Sequence, residues 1–84
     1  MIVERINQAV KVRADFHGGQ IVPLFFKRGT RNYKVTDVHA RWEWKEGQKR
    51  LYYFSVSVDT GDVCELCLDG SEMLWYLESV MMEG

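Results

Sequence analysis

Between positions 27 and 34 the chain carries Lys27, Arg28, Arg31 and Lys34 with no acid among them, and Gly29 and Tyr33 lie in the same stretch. Cations held at the end of a loop suit phosphate oxygens, and an arginine can also chelate two oxygens or stack on a base. An exposed Tyr33 supplies the aromatic surface on which unpaired bases stack. These residues point to binding of DNA or RNA, with Lys27, Arg28, Arg31 and Lys34 on phosphates and Tyr33 on a base. Lys11, Arg13 and Arg41 extend the set if the outer faces of their strands run on from the turn. The competing reading is a polar turn whose charges keep a sheet edge soluble.

Other candidate chemistry is weaker. Cys64-Glu65-Leu66-Cys67 has the spacing of a redox or zinc pair. In a strand, residues three apart point to opposite faces, so the thiols diverge. A zinc site would need both His17 and His39 to reach four ligands. Redox pairs sit at a helix N-terminus, which no strand-helix unit provides here. No metal and no cofactor are expected, and zinc binding, if seen, is read as adventitious. Asp37, His39 and Arg41 alternate along one face, a pattern that fits a carboxylate-oriented general base. Without a nucleophile or oxyanion donors in a concavity it reads as a solvated strand face, and no catalytic residue is assigned.

The elements that must position these residues are strands. Val10, Val12, Ala14 and Phe16 alternate with Lys11, Arg13, Asp15 and His17, the mark of a strand with one wet face. Gly18-Gly19 makes a two-residue turn into Ile21–Phe26, so the first two strands form a hairpin. Pro23 belongs at an edge, a strand start or a bulge. Lys27–Asn32 reads as a polar turn, after which Tyr33 and Val35 are apolar at odd positions, whereas Val38, Ala40, Trp42 and Trp44 are apolar at even ones. That slip predicts a bulge or bend near Thr36-Asp37, the device that curls a sheet into a barrel. Trp42 and Trp44 are expected in the core with Tyr52, Phe54 and Val56. Tyr53, Tyr76 and one of Phe25 or Phe26 are expected outside, a patch suited to another protein or to a homodimer formed edge to edge.

Strands follow at about 50–59 and 63–68, joined by Asp59-Thr60-Gly61-Asp62 and followed by a turn at Asp69–Glu72. Residues 73–82 admit two readings. Asp69 and Glu72 before an apolar run form a helix capping box, whereas Trp75-Tyr76-Leu77 is rich in strand formers. We favour a strand. Residues 1–8 show no clear period and read as a poorly defined segment before a single domain at 9–82.

At 84 residues, 46% of them hydrophobic, the chain has length for one core and enough apolar material to close it. The expected fold is all-β: a small antiparallel barrel of five or six strands, SH3-like or OB-like. All eleven Lys and Arg lie in residues 1–50, while residues 51–84 hold seven acids and neither cation. Such a molecule is dipolar unless strands from the two halves interleave and cancel the field within a Debye length. No run reaches the roughly 20 apolar residues of a membrane span, and the start lacks a secretory layout. A cytoplasmic protein with no membrane partner is expected.

Pro23, Phe25 or Phe26, Arg28-Gly29, Tyr33-Lys34-Val35, Trp42, Tyr52-Tyr53, the Asp59–Asp62 turn, Glu65-Leu66 and Trp75-Tyr76-Leu77-Glu78-Ser79-Val80 together resemble a family of short bacterial all-β proteins of unknown function. Its members pair a basic-glycine turn before a Tyr-x-Val strand with a final Trp-x-Leu strand, and related domains accompany translesion DNA polymerase proteins. The resemblance spans about 22–80. It implies a strand at 74–80 and a lean towards DNA metabolism, with no catalytic residue to transfer; Cys64 and Cys67 lie outside the pattern. The reading is a non-enzymatic binding module for nucleic acid. The alternative is a protein-interaction module or homodimer using exposed aromatic strand faces.

Overall fold

Alternation of apolar and polar residues with few helix-forming stretches leaves strands as the means of burying one face. The computed structural model describes residues 2–82. Six strands run in chain order: β1 (Ile2–His17), β2 (Gln20–Arg28), β3 (Arg31–Glu46), β4 (Lys49–Val58), β5 (Val63–Asp69) and β6 (Leu74–Met82). Each pairs antiparallel with the next, and β6 returns to β1 to close the expected small all-β barrel. Closure removes most of the edges an open meander would expose.

Two long strands make the corners. β1 pairs with β6 through Ile2–Val10 and with β2 through Lys11–His17. β3 pairs with β2 through Arg31–Lys34 and with β4 from Val35 onwards. In β1 the register shifts between Arg5 and Gln8, where Asn7 has φ 50°. That bulge explains why positions 1–8 show no period: from Ile2 on they are strand, with two phases in one short run. Met1 lies outside the described residues.

In β3 the expected bulge falls between Val35 and Asp37, and a second lies between Val38 and Ala40. The first keeps Val35 and Val38 on the inner face, opposite Val58 and Val56. The second reverses the phase once more, so Trp42 and Trp44 pair with Tyr53 and Leu51 on the outer face. The expectation that these tryptophans belong to the core is thereby overturned: they are 42% and 60% exposed. The core consists of Phe26, Tyr33, Phe54, Val56, Val58, Cys64, Leu66, Leu77 and Val80. Each large apolar side chain there contributes about 1.5–3 kcal/mol relative to exposure.

Residues 74–82 are strand, and the capping residues before them do a local task. Asp69 Oδ1 accepts hydrogen bonds from the Ser71 and Glu72 amides at 2.9 and 3.2 Å, while Lys49 Nζ sits 3.0 Å from Oδ2. The turn stops at Met73, whose φ of 58° cannot continue a right-handed helix. Asp69 is 2% exposed. Removal from water works against its charged form, but Lys49 and the two amides prevail and hold the carboxyl below its ordinary range.

Beyond the Phe25–Lys34 pair, β2 and β3 part. The tips of the β1–β2 and β3–β4 hairpins then face each other across a groove of about 280 Å³, lined by residues including Ile21, Arg41, Trp42, Glu43, Tyr52 and Phe54. Phe16 on the first tip is consequently exposed rather than core. Among the described residues no helix is long and apolar enough to cross a membrane.

Candidate nucleic-acid interface

The basic segment is a hairpin with a far shorter turn than its polarity implies. Arg28 pairs with Arg31, so Gly29 and Thr30 alone make the turn, with Gly29 at φ 60°. A two-residue hairpin loop needs that left-handed conformation, which glycine adopts without a Cβ penalty. Because β2 and β3 therefore run to the tip, their side chains alternate between faces. Phe26, Arg28, Arg31 and Tyr33 point to the barrel side, and Phe25, Lys27, Asn32 and Lys34 point out.

The five expected site residues thus divide. Tyr33 is not an exposed platform: it is 9% exposed and stacks on Phe26 with ring centroids 4.9 Å apart. The Arg31 guanidinium also lies over its ring, 5.4 Å from the centroid. Arg28 Nε donates to Gln8 Oε1 at 3.2 Å. Both arginines border a cavity of about 110 Å³ that Glu4 and Asp62 also line, so their field is partly cancelled.

Lys27 and Lys34 meet other cations instead. Lys11 lies directly across from Lys27, and Arg13 across from Phe25, which in turn faces Lys34. Lys11, Arg13, Lys27 and Lys34 therefore surround Phe25 on the outer surface of β1, β2 and β3. Phe25 is 41% exposed. A shallow groove of about 400 Å³ runs here, lined by Lys11, Arg13, Phe25, Lys27 and Asn32 among others. None of the four cations has a carboxylate within 4.0 Å among the described residues. Asp15 sits at the margin, one outward position beyond Arg13 on β1. Like charges directly opposite across strands cost roughly 0.2–1 kcal/mol, so Lys11 and Lys27 face each other at the expense of stability.

Of the proposed extensions, Lys11 and Arg13 join this face. Arg41 does not; it lines the groove between the hairpin tips. Of the two phenylalanines left open by the sequence, Phe25 is the exterior one and Phe26 is core. Alternation alone could not choose between them, because the register shift opposite Arg13-Ala14 resets the phase at Leu24.

The strand order separates the two halves of the sequence in part. β1, β2 and β3 are neighbours, as are β4, β5 and β6, but at the β1–β6 and β3–β4 seams cations and acids meet, as Arg5 does Glu65 and Glu78, and Lys49 on β4 pairs with Asp69. Glu65 and Glu78 line a common groove with Arg5 and Tyr53 on the acidic side. Burial first, and then Glu65, pushes the Glu78 carboxyl above its ordinary range. Glu83, counted among the acids of the second half, lies outside the described residues.

The remaining candidates are placed as follows. Cys64 faces inward between Val56 and Val80, while Cys67 faces outward between Tyr53 and Tyr76. The two thiols diverge, and burial pushes each up to about 11. Tyr53 and Tyr76 flank Cys67 on the outer face as expected, whereas Phe25 lies on a different sheet and is not part of their patch. His39 Nδ1 lies 3.5 Å from Asp37 Oδ2, and its Nε2 hydrogen-bonds Ser57 Oγ. Asp37 and His39 are both largely open to solvent. Asp37, His39 and Ser57 line none of the four grooves described above.

Compared with known proteins, the chain matches no family model, no curated protein and no solved structure. The family resemblance therefore rests on the residues quoted for it, and function has to be argued from the surface.

Proposed function

We propose that the protein is a non-enzymatic module that binds nucleic acid on the outer face of β1, β2 and β3. The observation that supports this is the cross-strand grouping of Lys11, Arg13, Lys27 and Lys34, without ion-pair partners among the described residues, around the exposed ring of Phe25. Cations at strand spacing match a phosphate backbone, and an aromatic ring among them stacks on a base that has left its duplex. Asn32, opposite Lys27, adds an amide able to donate and accept. This combination favours single strands over duplex, whose base faces are hidden in the stack. Lys27 and Lys34 remain from the set expected in the sequence, with Phe25 in the place of Tyr33. The resemblance to small proteins whose relatives accompany translesion polymerases leans the same way.

Fluorescence anisotropy at low salt, with single-stranded and duplex oligonucleotides, tests the proposal. Binding that weakens when Lys11 and Lys27 are changed to Glu is expected. Absence of binding to either form at tens of micromolar protein would remove it.

A further inference from the structure

The parting of β2 and β3 leaves an edge. From Val35 onwards β3 pairs with β4 on one side and has no strand on the other among the described residues. Its outermost stretch, Ala40 to Glu46, offers a row of unmatched backbone donors and acceptors beside the groove between the hairpin tips. An exposed edge of that length is a template for another strand unless something blunts it. No bulge falls beyond Ala40, and the stretch contains no proline.

The side chains decide what can pair there. Trp42 and Trp44 stand on the outer face with Ala40; Arg41, Glu43 and Lys45 stand on the other. Charges of one sign would repel a second copy of the same edge. Here they alternate in sign, so the outcome depends on register. Pairing two copies antiparallel about Glu43 puts carboxylate against carboxylate and Arg41 against Lys45, which is repulsive. Pairing about Trp44 satisfies Glu43 with Lys45 but sets Trp42 against Glu46. Pairing about Trp42 sets Arg41 against the partner's Glu43 twice over, by symmetry. It also places the small Ala40 beneath the partner's Trp44 and brings the two copies of Trp42 together on the axis. Of these three registers the last alone pairs Arg41 with Glu43 while seating the small Ala40 against Trp44.

We infer that the Ala40–Glu46 edge of β3 is a self-association site, at which two copies of this chain pair antiparallel about Trp42. The outer faces are already prepared for it. Trp42 lies parallel to Tyr53, with centroids 5.4 Å apart and planes 4° apart, so the dimer extends this stack to four rings across the axis. On the other face Arg50 of β4 sits with Nε 3.5 Å from Glu43 Oε1, so that carboxylate leans towards β4, and in the dimer it is shared between Arg50 and the partner's Arg41. The inference is independent of the nucleic-acid reading, since it uses a different strand edge.

Sedimentation velocity from micromolar to near-millimolar protein tests it, with circular dichroism confirming that each variant is folded. The wild type forms a reversible dimer. Arg41→Glu and Glu43→Arg each turn two attractive pairs into repulsive ones and weaken dimerisation about tenfold or more. The combined exchange of both residues restores it, because every pair regains opposite signs. Trp42→Glu sets two carboxylates together on the axis and produces the same loss through a different residue. A wild type that stays monomeric throughout, single reversals that leave the dimer intact, or a combined exchange that fails to restore it would each overturn the inference.

Discussion

Replacing Lys27 by Gln removes one of the four cations around Phe25 and leaves its strand pairing with Lys11 and Asn32 in place. Each phosphate contact on a single strand contributes about −0.7 to the slope of log affinity against log salt, so four contacts give about −2.8 and three about −2.1. Between about 50 and 200 mM salt the wild type then loses roughly 50-fold in affinity and the variant roughly 20-fold. The same substitution relieves the Lys11–Lys27 repulsion, which returns roughly 0.2–1 kcal/mol to the folded state, or a few degrees in Tm. Weaker, less salt-sensitive binding together with a more stable fold is a signature that general damage does not produce. Arg31→Gln is the internal control. Its guanidinium lies over Tyr33 on the barrel side, so its slope stays near −2.8 on the same accounting. Anisotropy titrations of a labelled single strand at four or five salt concentrations, with thermal melts of the free proteins, give both quantities. An unchanged slope for Lys27→Gln, or an equal change for Arg31→Gln, would refute the assignment of the binding face.

Three further outcomes are expected. Phe25→Ala loses the stacking surface and weakens single-strand binding by about 1–3 kcal/mol, roughly 5- to 150-fold, while Phe25→Trp retains it and duplex binding moves little; titrations with both nucleic acids check this. Gly70→Ala would bring a Cβ to 3.0 Å from both the Arg50 carbonyl oxygen and the Tyr52 ring, and urea unfolding should show a loss of about 1–3 kcal/mol. The Asp69 carboxyl is held below its ordinary range in the folded state. Its contribution is therefore present above the ordinary carboxylate pKa and lost as pH falls through the lowered one. The Tm difference between wild type and Asp69→Asn should accordingly be largest near neutrality and shrink towards strongly acidic pH, as melts over a pH series would record.

Local patterns were enough for much of the architecture. The alternation at 10–17 and 52–58, the Gly18-Gly19 turn and the phase slip near Thr36 each depend on neighbours within a few residues, and strand geometry reads such patterns directly. The same alternation separates Cys64 from Cys67, since three residues along a strand is half a period out. Charge segregation along the chain was equally plain, and consecutive strand order kept it in part, with Arg28 and Arg31 meeting Asp62 and Lys49 meeting Asp69.

What escaped local reading depended on register between distant strands. The second bulge in β3 reversed Trp42 and Trp44, and nothing between Val38 and Ala40 announces it. A β-strand has a side-chain period of two, so one inserted residue moves every later side chain to the other face. For the same reason Arg28, Arg31 and Tyr33 went to the barrel side, while Lys27 and Lys34 met Lys11 and Arg13, from well back along the chain, on the outer one. Composition supplied the cations and the aromatic ring. Which of them share a surface was decided by hydrogen-bond pairing across strands, a property of the closed barrel that no single stretch of the chain contains.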